Sequence, residues 1–208
     1  MIIITVSNFK GGSGKSTTAA YLGHAYQQLG LRVAIVDCDP QGSLLGWADQ
    51  AEFDIPTMAL PSGSIHRQLG GIVGDNFDVV VLDTPGFRDS AGIVYSAIRA
   101  SDYVVITMAP TMMELDTVSN ILDAVDEMHA VIDRPITTRV LLNRTVANAA
   151  STDVVREAIK DLGAQVFTTT IPRREAIAQA ANGPISGDLF GHLSVAEAIL
   201  EEAARGAE

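Results

Sequence analysis

A glycine-rich stretch near the start of the chain, Gly11–Ser16, has the residue types that bind phosphate groups. It lies between an apolar run, Ile2–Val6, and a helical pattern over Ser16–Leu29. Glycines let the backbone curl until several N–H groups face one anion, and the start of a helix adds its positive end. Lys15 would contact the β- and γ-phosphates, and the Ser16 hydroxyl would bind Mg²⁺. A structural glycine turn is the alternative, and the strand–turn–helix context disfavours it.

Acidic residues stand directly after two further apolar runs. Asp37 and Asp39 follow Val33–Val36, and Asp83 follows Val79–Leu82. Two carboxylates at positions i and i+2 of an extended chain can both point toward a bound phosphate–Mg²⁺ group. An aspartate at the end of a buried strand can hold Mg²⁺, often through water. Alone, the Asp37–Asp39 motif also fits a turn that merely ends a strand, and apolar runs that end in an aspartate such as Asp83 are common. Downstream of the glycine-rich stretch, both motifs favour a magnesium site.

The apolar runs indicate the scaffold that positions these residues. They predict strands, and the segments between them predict helices. Strands that are apolar throughout and separated by helices are typical of a parallel sheet covered on both faces, which binds ligands beyond the carboxyl ends of its strands. We therefore expect a single α/β domain over residues 1–208, with a P-loop NTPase fold and a mostly parallel twisted sheet. The predicted strands are Ile2–Val6, Val33–Val36, Phe77–Leu82, Tyr103–Met108, Thr138–Leu142 and Gln165–Thr168; the predicted helices are Ser16–Leu29, Ser90–Arg99, Glu114–Met128, Thr152–Leu162, Ala176–Ala181 and Val195–Ala204.

One segment, Phe53–Gly74, shows no regular pattern and carries two prolines and several glycines. Pro and Gly punctuate local structure and mark turns and loops. We expect this segment to be a flexible surface.

Composition excludes several classes of protein. With 47% hydrophobic and 19% charged residues, the chain is not intrinsically disordered. Its one cysteine, Cys38, excludes an internal disulfide and a cysteine-rich metal site. No apolar run reaches the length of a transmembrane helix, and the N-terminus lacks the basic region of a signal peptide. These features predict a cytoplasmic protein.

The formal net charge of −11 disfavours nucleic acid and anionic membrane as general partners. One region differs, because residues 133–175 contain seven basic and five acidic residues. A local basic surface is therefore compatible with the acidic chain.

The segment Lys10–Thr17 resembles the deviant Walker A box, Lys-Gly-Gly-x-Gly-Lys-Ser/Thr, of the ParA/MinD family of ATPases. Every defining position is met, including Lys10, which stands where the general P-loop has its first glycine. Asp37–Gln41 is similar to the switch I box of that family, Asp-x-Asp-Pro-Gln, and Asp83–Gly86 is similar to its Walker B and switch II region. The resemblance covers nearly the whole chain and is strongest to short ParA-type partition ATPases.

The resemblance implies an ATPase that binds ATP or ADP with Mg²⁺. It implies that Lys10, Lys15 and Asp39 are catalytic, with Asp39 positioning the attacking water and Lys10 reaching the nucleotide of a second subunit. Ser16, Asp37 and Asp83 would hold the metal. Asn143 and the loop containing Pro172 would surround the adenine base. The full set of implied nucleotide contacts is Gly11, Gly12, Ser13, Gly14, Lys15, Ser16, Thr17, Gly86, Asn143 and Pro172.

The same resemblance implies a cycle in which ATP forms a homodimer that binds non-specific DNA on the nucleoid. A ParB-like partner would stimulate hydrolysis and so segregate plasmid or chromosome cargo. Membrane targeting is disfavoured because the C-terminal residues are acidic. The candidate DNA contacts are Arg156, Lys160, Arg173 and Arg174.

Two alternatives remain at this stage. A ParA-like ATPase could position a protein organelle or another cellular cargo instead of DNA. A P-loop synthetase could use ATP to phosphorylate a carboxylate. Synthetases of this fold generally lack the first lysine, so Lys10 argues against that class.

Overall fold

The computed structural model describes residues 1–147 and 149–205. Its centre is a seven-stranded, all-parallel sheet with strand order β3-β2-β4-β1-β5-β6-β7. The strands are β1 Ile2–Ser7, β2 Val33–Asp37, β3 Thr57–Ala59, β4 Val79–Asp83, β5 Tyr103–Met108, β6 Thr137–Leu142 and β7 Gln165–Val166. The α-helices are α1 Lys15–Gln28, α2 Ser43–Gln50, α3 Ile65–Val73, α4 Phe87–Ala100, α5 Leu115–His129, α6 Ala150–Asp161, α7 Glu175–Gln179 and α8 His192–Arg205. Short 3₁₀ turns cover Met112–Glu114 and Ala180–Asn182.

Both faces of the sheet are covered, which explains why its strands are apolar throughout. Side chains of a strand alternate between the two faces. In β4, Val79 and Val81 pack in the core under α1 and α8, whereas Val80 and Leu82 pack in the core under α3 and α4. The predicted α/β architecture with helices on both faces is confirmed.

The prediction of a flexible surface at Phe53–Gly74 is wrong. This segment contains the edge strand β3 and the helix α3, which packs against α4. Ile65, Leu69 and Val73 are buried and follow each other at helical spacing of four residues. The glycines around these residues obscured a periodicity that the sequence contains.

The last helix is fixed to the sheet by polar contacts as well as by apolar packing. The Tyr103 hydroxyl donates a hydrogen bond to Glu202 of α8 at 2.7 Å. Arg139 forms an ion pair with the same carboxylate, and its guanidinium lies 5.7 Å from the centre of the Phe167 ring.

Among the described helices, α8 included, none combines the length and apolarity needed to cross a membrane.

The parallel topology brings three strand ends to one edge. In the sheet register, Asp83 at the end of β4 lies between Val6 of β1 and Asp37 of β2. The segments that follow β1, β2 and β4 therefore meet beyond the same edge, as predicted from the positions of the polar residues.

The contact between α1 and β2 supplies a stability test. A methyl group added at Gly23 of α1 would lie 2.6 Å from Cδ1 and 2.9 Å from Cγ1 of buried Ile35. We expect Gly23→Ala to lower the free energy of unfolding, because an overpacking penalty of about 1–3 kcal/mol exceeds the gain in helix propensity. Denaturant unfolding monitored by circular dichroism measures the change.

The matched control is Gly70→Ala in α3, where an added methyl group meets no atom within 4 Å. This variant should gain about 0.5–1 kcal/mol, because glycine weakens a helix interior relative to alanine. Equal effects of the two substitutions would contradict the tight packing of α1 on β2.

Candidate functional site

The loop between β1 and α1 is fixed in an open curl by its glycines and by Asn8. Gly12 and Gly14 adopt φ angles of 73° and 89°, in the left-handed region that favours glycine. Asn8 Oδ1 accepts a hydrogen bond from the Lys10 N–H at 2.7 Å, and Asn8 Nδ2 donates to the carbonyl of Thr107 in β5. The loop is thus held against the central strands before any ligand binds.

The two lysines on either side of the loop glycines, Lys10 and Lys15, have different environments. Lys15 is buried, and its ammonium donates to the Lys10 carbonyl at 3.1 Å. Burial lowers the pKa of Lys15, and the carboxylates of Asp83 and Asp39 partly oppose that effect. The Lys10 side chain is exposed. One ammonium therefore lies within the site, and the other is available to a group outside the chain.

Asp83 is a buried carboxylate that lies near the Ser16 hydroxyl but makes no hydrogen bond of good geometry. Both of its oxygens are inaccessible, and neither has a partner among the described residues. Burial raises the pKa of Asp83 to about 7; the Ser16 hydroxyl and the Lys15 ammonium lower it, whereas Asp37 and Asp39 raise it further. A buried unpaired acceptor is costly, so this arrangement suits a bound cation.

The donor set around Asp83 fits magnesium that is shared with a phosphate ligand. No group of three or more His, Cys, Asp or Glu side chains suited to a metal occurs in residues 1–147 and 149–205. Mg²⁺ in triphosphate sites is usually bound through one or two carboxylates together with phosphates and waters. Ser16 and Asp83 supply such a partial set.

Asp37 and Asp39 close the turn that follows β2. Asp37 is fully buried; Oδ1 accepts the Asp39 N–H at 3.0 Å, and Oδ2 accepts the N–H groups of Leu44 and Leu45 at 3.0 and 2.9 Å. Burial raises the pKa of Asp37, and these hydrogen bonds oppose the shift. Asp37 thereby accepts hydrogen bonds from N–H groups at the start of α2, and its bond to the Asp39 N–H positions half-buried Asp39. Its part in a magnesium shell stays a prediction.

The segment after β4 packs directly on the glycine-rich loop. Phe87 N–H donates to the Asn8 carbonyl at 3.3 Å, and the rings of Phe9 and Phe87 stack with 5.8 Å between centroids. A methyl group at Gly86 would lie 3.5 Å from the Gly11 nitrogen. This contact places the predicted switch II residue Gly86 beside the loop.

A cavity of about 690 Å³ extends from the loop toward β6 and α7. Its volume suits a nucleoside. The structure brings the predicted residues Asn143 and Pro172 together here with the start of α1. Asn143 Nδ2 donates to Thr18 Oγ1 at 3.1 Å, and Asn143 Oδ1 has no partner among the described residues. The lining includes Gly14, Thr17, Thr18, Asn143, Pro172 and His192.

Several of these residues escaped the sequence reasoning. Asn8 and Phe87 lie next to the recognised motifs in the sequence, and this proximity could have identified them as candidates. Thr107 and Thr18 fall inside apolar or helical segments. His192 follows no motif, and its place in the cavity depends on the docking of α8.

The four basic residues proposed for DNA have unlike surroundings. Arg156 donates to the carbonyls of Phe167 and Thr168 at 2.6 and 3.4 Å, and Lys160 is paired with Glu157 at 2.7 Å. Arg173 and Arg174 are exposed and line the cavity, together with Arg144, which the sequence reasoning did not select.

The chain belongs to the family of CobQ/CobB/MinD/ParA nucleotide-binding domains, because the family model matches residues 4–184. The resemblance to ParA and MinD proteins is therefore confirmed. The all-parallel sheet agrees with the fold of this family, and the predicted P-loop NTPase fold is confirmed as well.

The relatives include proteins named for carboxysome distribution and for chromosome partitioning. The chain is 29% identical to maintenance of carboxysome distribution protein A of Halothiobacillus neapolitanus, over 82% of this chain and 79% of the relative. It is 33% identical to protein ParA of Rhizobium radiobacter, over 65% and 61%. It is 26% identical to the chromosome-partitioning ATPase Soj of Thermus thermophilus, over 85% and 83%.

Solved structures share the fold at lower identity. The ATP complex of a McdA variant from Cyanothece has a TM-score of 0.79 and 18% identity, covering 97% of this chain and 96% of its own. Cobyrinic acid a,c-diamide synthase of Mycobacterium smegmatis, with an ATP analogue and magnesium, has a TM-score of 0.78 and 21% identity, covering 99% and 97%.

The isolation of Asp83 predicts a pH-dependent stability. The pKa of Asp83 is raised from 3.8 to about 7, so the folded protein holds a proton that the unfolded chain releases between these pH values. Without nucleotide and Mg²⁺, Asp83→Asn should therefore be more stable than the wild type. The difference should grow from pH 4 to pH 7 and stay constant above. Thermal unfolding across this range measures it.

Asp78→Asn is the control, since it removes the same charge from the surface. Hydrogen bonds from Arg32 hold the pKa of Asp78 at about 2, so the stabilisation by Asp78 is present above pH 3.8 and lost as the pH falls through about 2. Asp78→Asn should consequently be less stable than the wild type at pH 7. A gain in both variants would indicate a net-charge effect and contradict the burial of an unpaired Asp83 carboxylate.

Proposed function

We propose that this chain is a Mg²⁺-dependent, ParA-like ATPase that positions cellular cargo, with residues 1–208 forming one ATPase domain. The observation that carries the proposal is the presence of a buried ammonium, Lys15, and a buried carboxylate without a hydrogen bond, Asp83, beside the glycine-rich loop. Lys15 suits the phosphates of ATP or ADP, and Asp83 with Ser16 suits the metal. The cavity with Asn143 and Pro172 adjoins them and suits the base.

Each residue of the proposed nucleotide site has a separate role. Gly11, Gly12, Ser13 and Gly14 offer backbone N–H groups to the phosphates, and Thr17 follows them along the cavity. Bound Mg²⁺ would neutralise developing charge on the phosphate oxygens. Ser16 and Asp83 would hold the metal, with Asp37 as its predicted support.

Hydrolysis requires positioning more than covalent chemistry. Asp39 would orient a water for in-line attack on the γ-phosphorus. The bond between water oxygen and phosphorus forms, the bond between that phosphorus and the β,γ-bridging oxygen breaks, and the products are ADP and phosphate. Lys15 would stabilise the leaving charge. Gly86, which has no side chain, would let the segment after β4 approach the γ-phosphate and move when hydrolysis removes that phosphate.

The exposure of Lys10 supports the proposal of an ATP-dependent homodimer. The Lys10 side chain is exposed, and the residue follows β1 at the edge where the carboxyl ends of the strands meet. Met113, which is 85% exposed, follows β5 at the same edge. A second copy facing this edge would receive Lys10 on its phosphates and cover the apolar side chain.

Sizing by light scattering with ATP and with ADP tests this proposal. The wild type should be a dimer with ATP and Mg²⁺ and a monomer with ADP. Lys10→Ala should keep its affinity for ATP within about threefold of the wild type, because Lys15 remains. The variant should stay monomeric with ATP. Its turnover rate should fall at least about tenfold, which is equivalent to 1.4 kcal/mol.

The matched control is Lys160→Ala, which removes the third lysine of the chain, in α6, and should leave size and turnover unchanged. A Lys10→Ala protein that still dimerises with ATP and hydrolyses it at the full rate would contradict the positioning ATPase. That result would favour the synthetase, whose chemistry needs no lysine from a partner.

Binding to non-specific DNA would use the exposed arginines near the cavity. Arg173 and Arg174, with Arg144, are free of ion pairs among the described residues, whereas Arg156 and Lys160 are engaged with groups of their own chain. Two copies would double this positive charge on an otherwise acidic protein. The dimer would thus associate with the nucleoid in the cytoplasm, and a ParB-like partner would stimulate hydrolysis.

The salt dependence of DNA binding tests this surface. Replacing both Arg173 and Arg174 by Gln should weaken ATP-dependent DNA binding and reduce the salt slope by about 0.9 for each DNA phosphate that is no longer neutralised. Replacing Arg67 and Arg205 by Gln removes the same charge from other exposed sites and is the control. ATP affinity is measured in parallel, since Arg173 and Arg174 line the cavity. An unchanged slope in the first variant would exclude this surface.

The names of the relatives suggest two kinds of cargo. The similarity to ParA and Soj favours segregation of plasmid or chromosome DNA through a ParB-like partner. The similarity to maintenance of carboxysome distribution protein A favours a protein organelle as the second candidate. Imaging a fluorescent fusion together with labelled DNA and organelle markers separates the two.

A further inference from the structure

Arg144, the residue after Asn143, has a backbone conformation that is uncommon for its residue type. Its φ angle is 56°, in the left-handed region. Among the described residues other than glycine, only Glu52 and Phe190 share a positive φ. This region crowds the Cβ atom of an L-residue, whereas glycine enters it without steric cost. An arginine at this position therefore costs stability, and its side chain is the feature that a glycine would lack.

The backbone on both sides of Arg144 is fixed by neighbouring segments. The Asn143 N–H donates to the Met108 carbonyl at 2.7 Å, and the Thr145 N–H donates to the Ile171 carbonyl at 3.0 Å. These bonds explain why the chain bends at residue 144, but any residue that tolerates the bend would keep them. They do not account for a long, charged side chain at this position.

The Arg144 side chain is accessible at the cavity proposed for the base. Arg144 is exposed and belongs to the lining of that cavity, together with apolar residues such as Ile171 and Ile177. It forms no ion pair within residues 1–147 and 149–205. A guanidinium is planar and weakly hydrated, and it stacks on aromatic faces. Arg144 can therefore contact a base in the cavity without giving up an ion pair in its own chain.

We propose that Arg144 is a binding residue for the base: its guanidinium stacks on the face of the base that would otherwise meet solvent. This inference rests on the proposed function, in which the cavity holds the base of ATP. Stacking uses the π face of a base and is tolerant of base identity, so Arg144 adds affinity rather than selectivity. The proposal separates Arg144 from Arg173 and Arg174, whose proposed ligand is DNA.

Calorimetric titration with ATP and Mg²⁺ tests the proposal in two variants. Arg144→Gly should bind ATP about three- to tenfold more weakly than the wild type, in the range of one cation–π contact. It should melt no lower than the wild type, because glycine accepts left-handed backbone. Arg144→Lys keeps the charge but loses the planar group, and it should bind ATP at least about twofold more weakly than the wild type.

Glu52→Gly is the matched control. Glu52 has a φ angle of 52°, is exposed and lies outside the cavity lining. This variant should also melt no lower than the wild type, and its affinity for ATP should be unchanged. An equal loss of ATP affinity in Glu52→Gly and Arg144→Gly would show that a glycine at a bend, rather than the missing guanidinium, weakens binding, and would overturn the proposal.

The outcomes separate this inference from the proposed function. Wild-type affinity for ATP in Arg144→Gly or in Arg144→Lys overturns the stacking role and leaves the nucleotide site standing. If Arg144→Gly keeps its ATP affinity and binds DNA more weakly, Arg144 belongs to the DNA surface instead. Failure of the wild type to bind ATP overturns both the inference and the proposed function.

A second measurement observes the stacking on the unaltered protein. With ¹⁵N-labelled arginine, the Hε resonance of Arg144 is assigned through its absence from Arg144→Lys. On addition of ATP and Mg²⁺ this resonance should move upfield, because the ring current of a purine shields protons that lie above its face. An Hε resonance that does not move upfield would overturn the proposal.

Discussion

The site is organised by one unfavourable feature, the burial of the Asp83 carboxylate without a hydrogen bond of good geometry. The Lys15 ammonium and the Ser16 hydroxyl counter its charge only in part, since the pKa of Asp83 still rises to about 7 because of burial. Natural proteins satisfy nearly all buried polar groups, so an orphaned carboxylate marks a place where a ligand completes the structure. In the proposed function, a metal bound with a triphosphate would supply the positive charge that this carboxylate lacks.

The rest of the fold holds this arrangement in place. The parallel register sets Asp83 level with Val6 and Asp37, and Asp37 uses its oxygens to cap α2. Asn8 ties the glycine loop to β5, while Phe87 stacks on Phe9. The loops after β1 and β4 therefore contact each other directly, and the Cys38 N–H after β2 donates to the Asp83 carbonyl of β4 at 2.8 Å.

The sequence predicts the parts of this site that depend on local pattern. Gly12 and Gly14 adopt left-handed backbone angles, which glycine favours, and Asp83 ends an unbroken apolar run. The loop before α1 and the end of β4 can therefore be predicted from the sequence. The segment with α3 is missed because glycines interrupt its apolar spacing. The base pocket is only partly predictable, since His192 reaches it through the packing of α8 on α1, a contact between residues far apart in the chain.

The metal dependence of nucleotide binding tests the central role of Asp83 most directly. Calorimetric titration of ATP should give at least about tenfold tighter binding with Mg²⁺ than with excess EDTA, a difference of 1.4 kcal/mol. In Asp83→Asn this difference should largely disappear, because the neutral amide no longer needs the cation. Equal metal dependence in the two proteins would contradict the account.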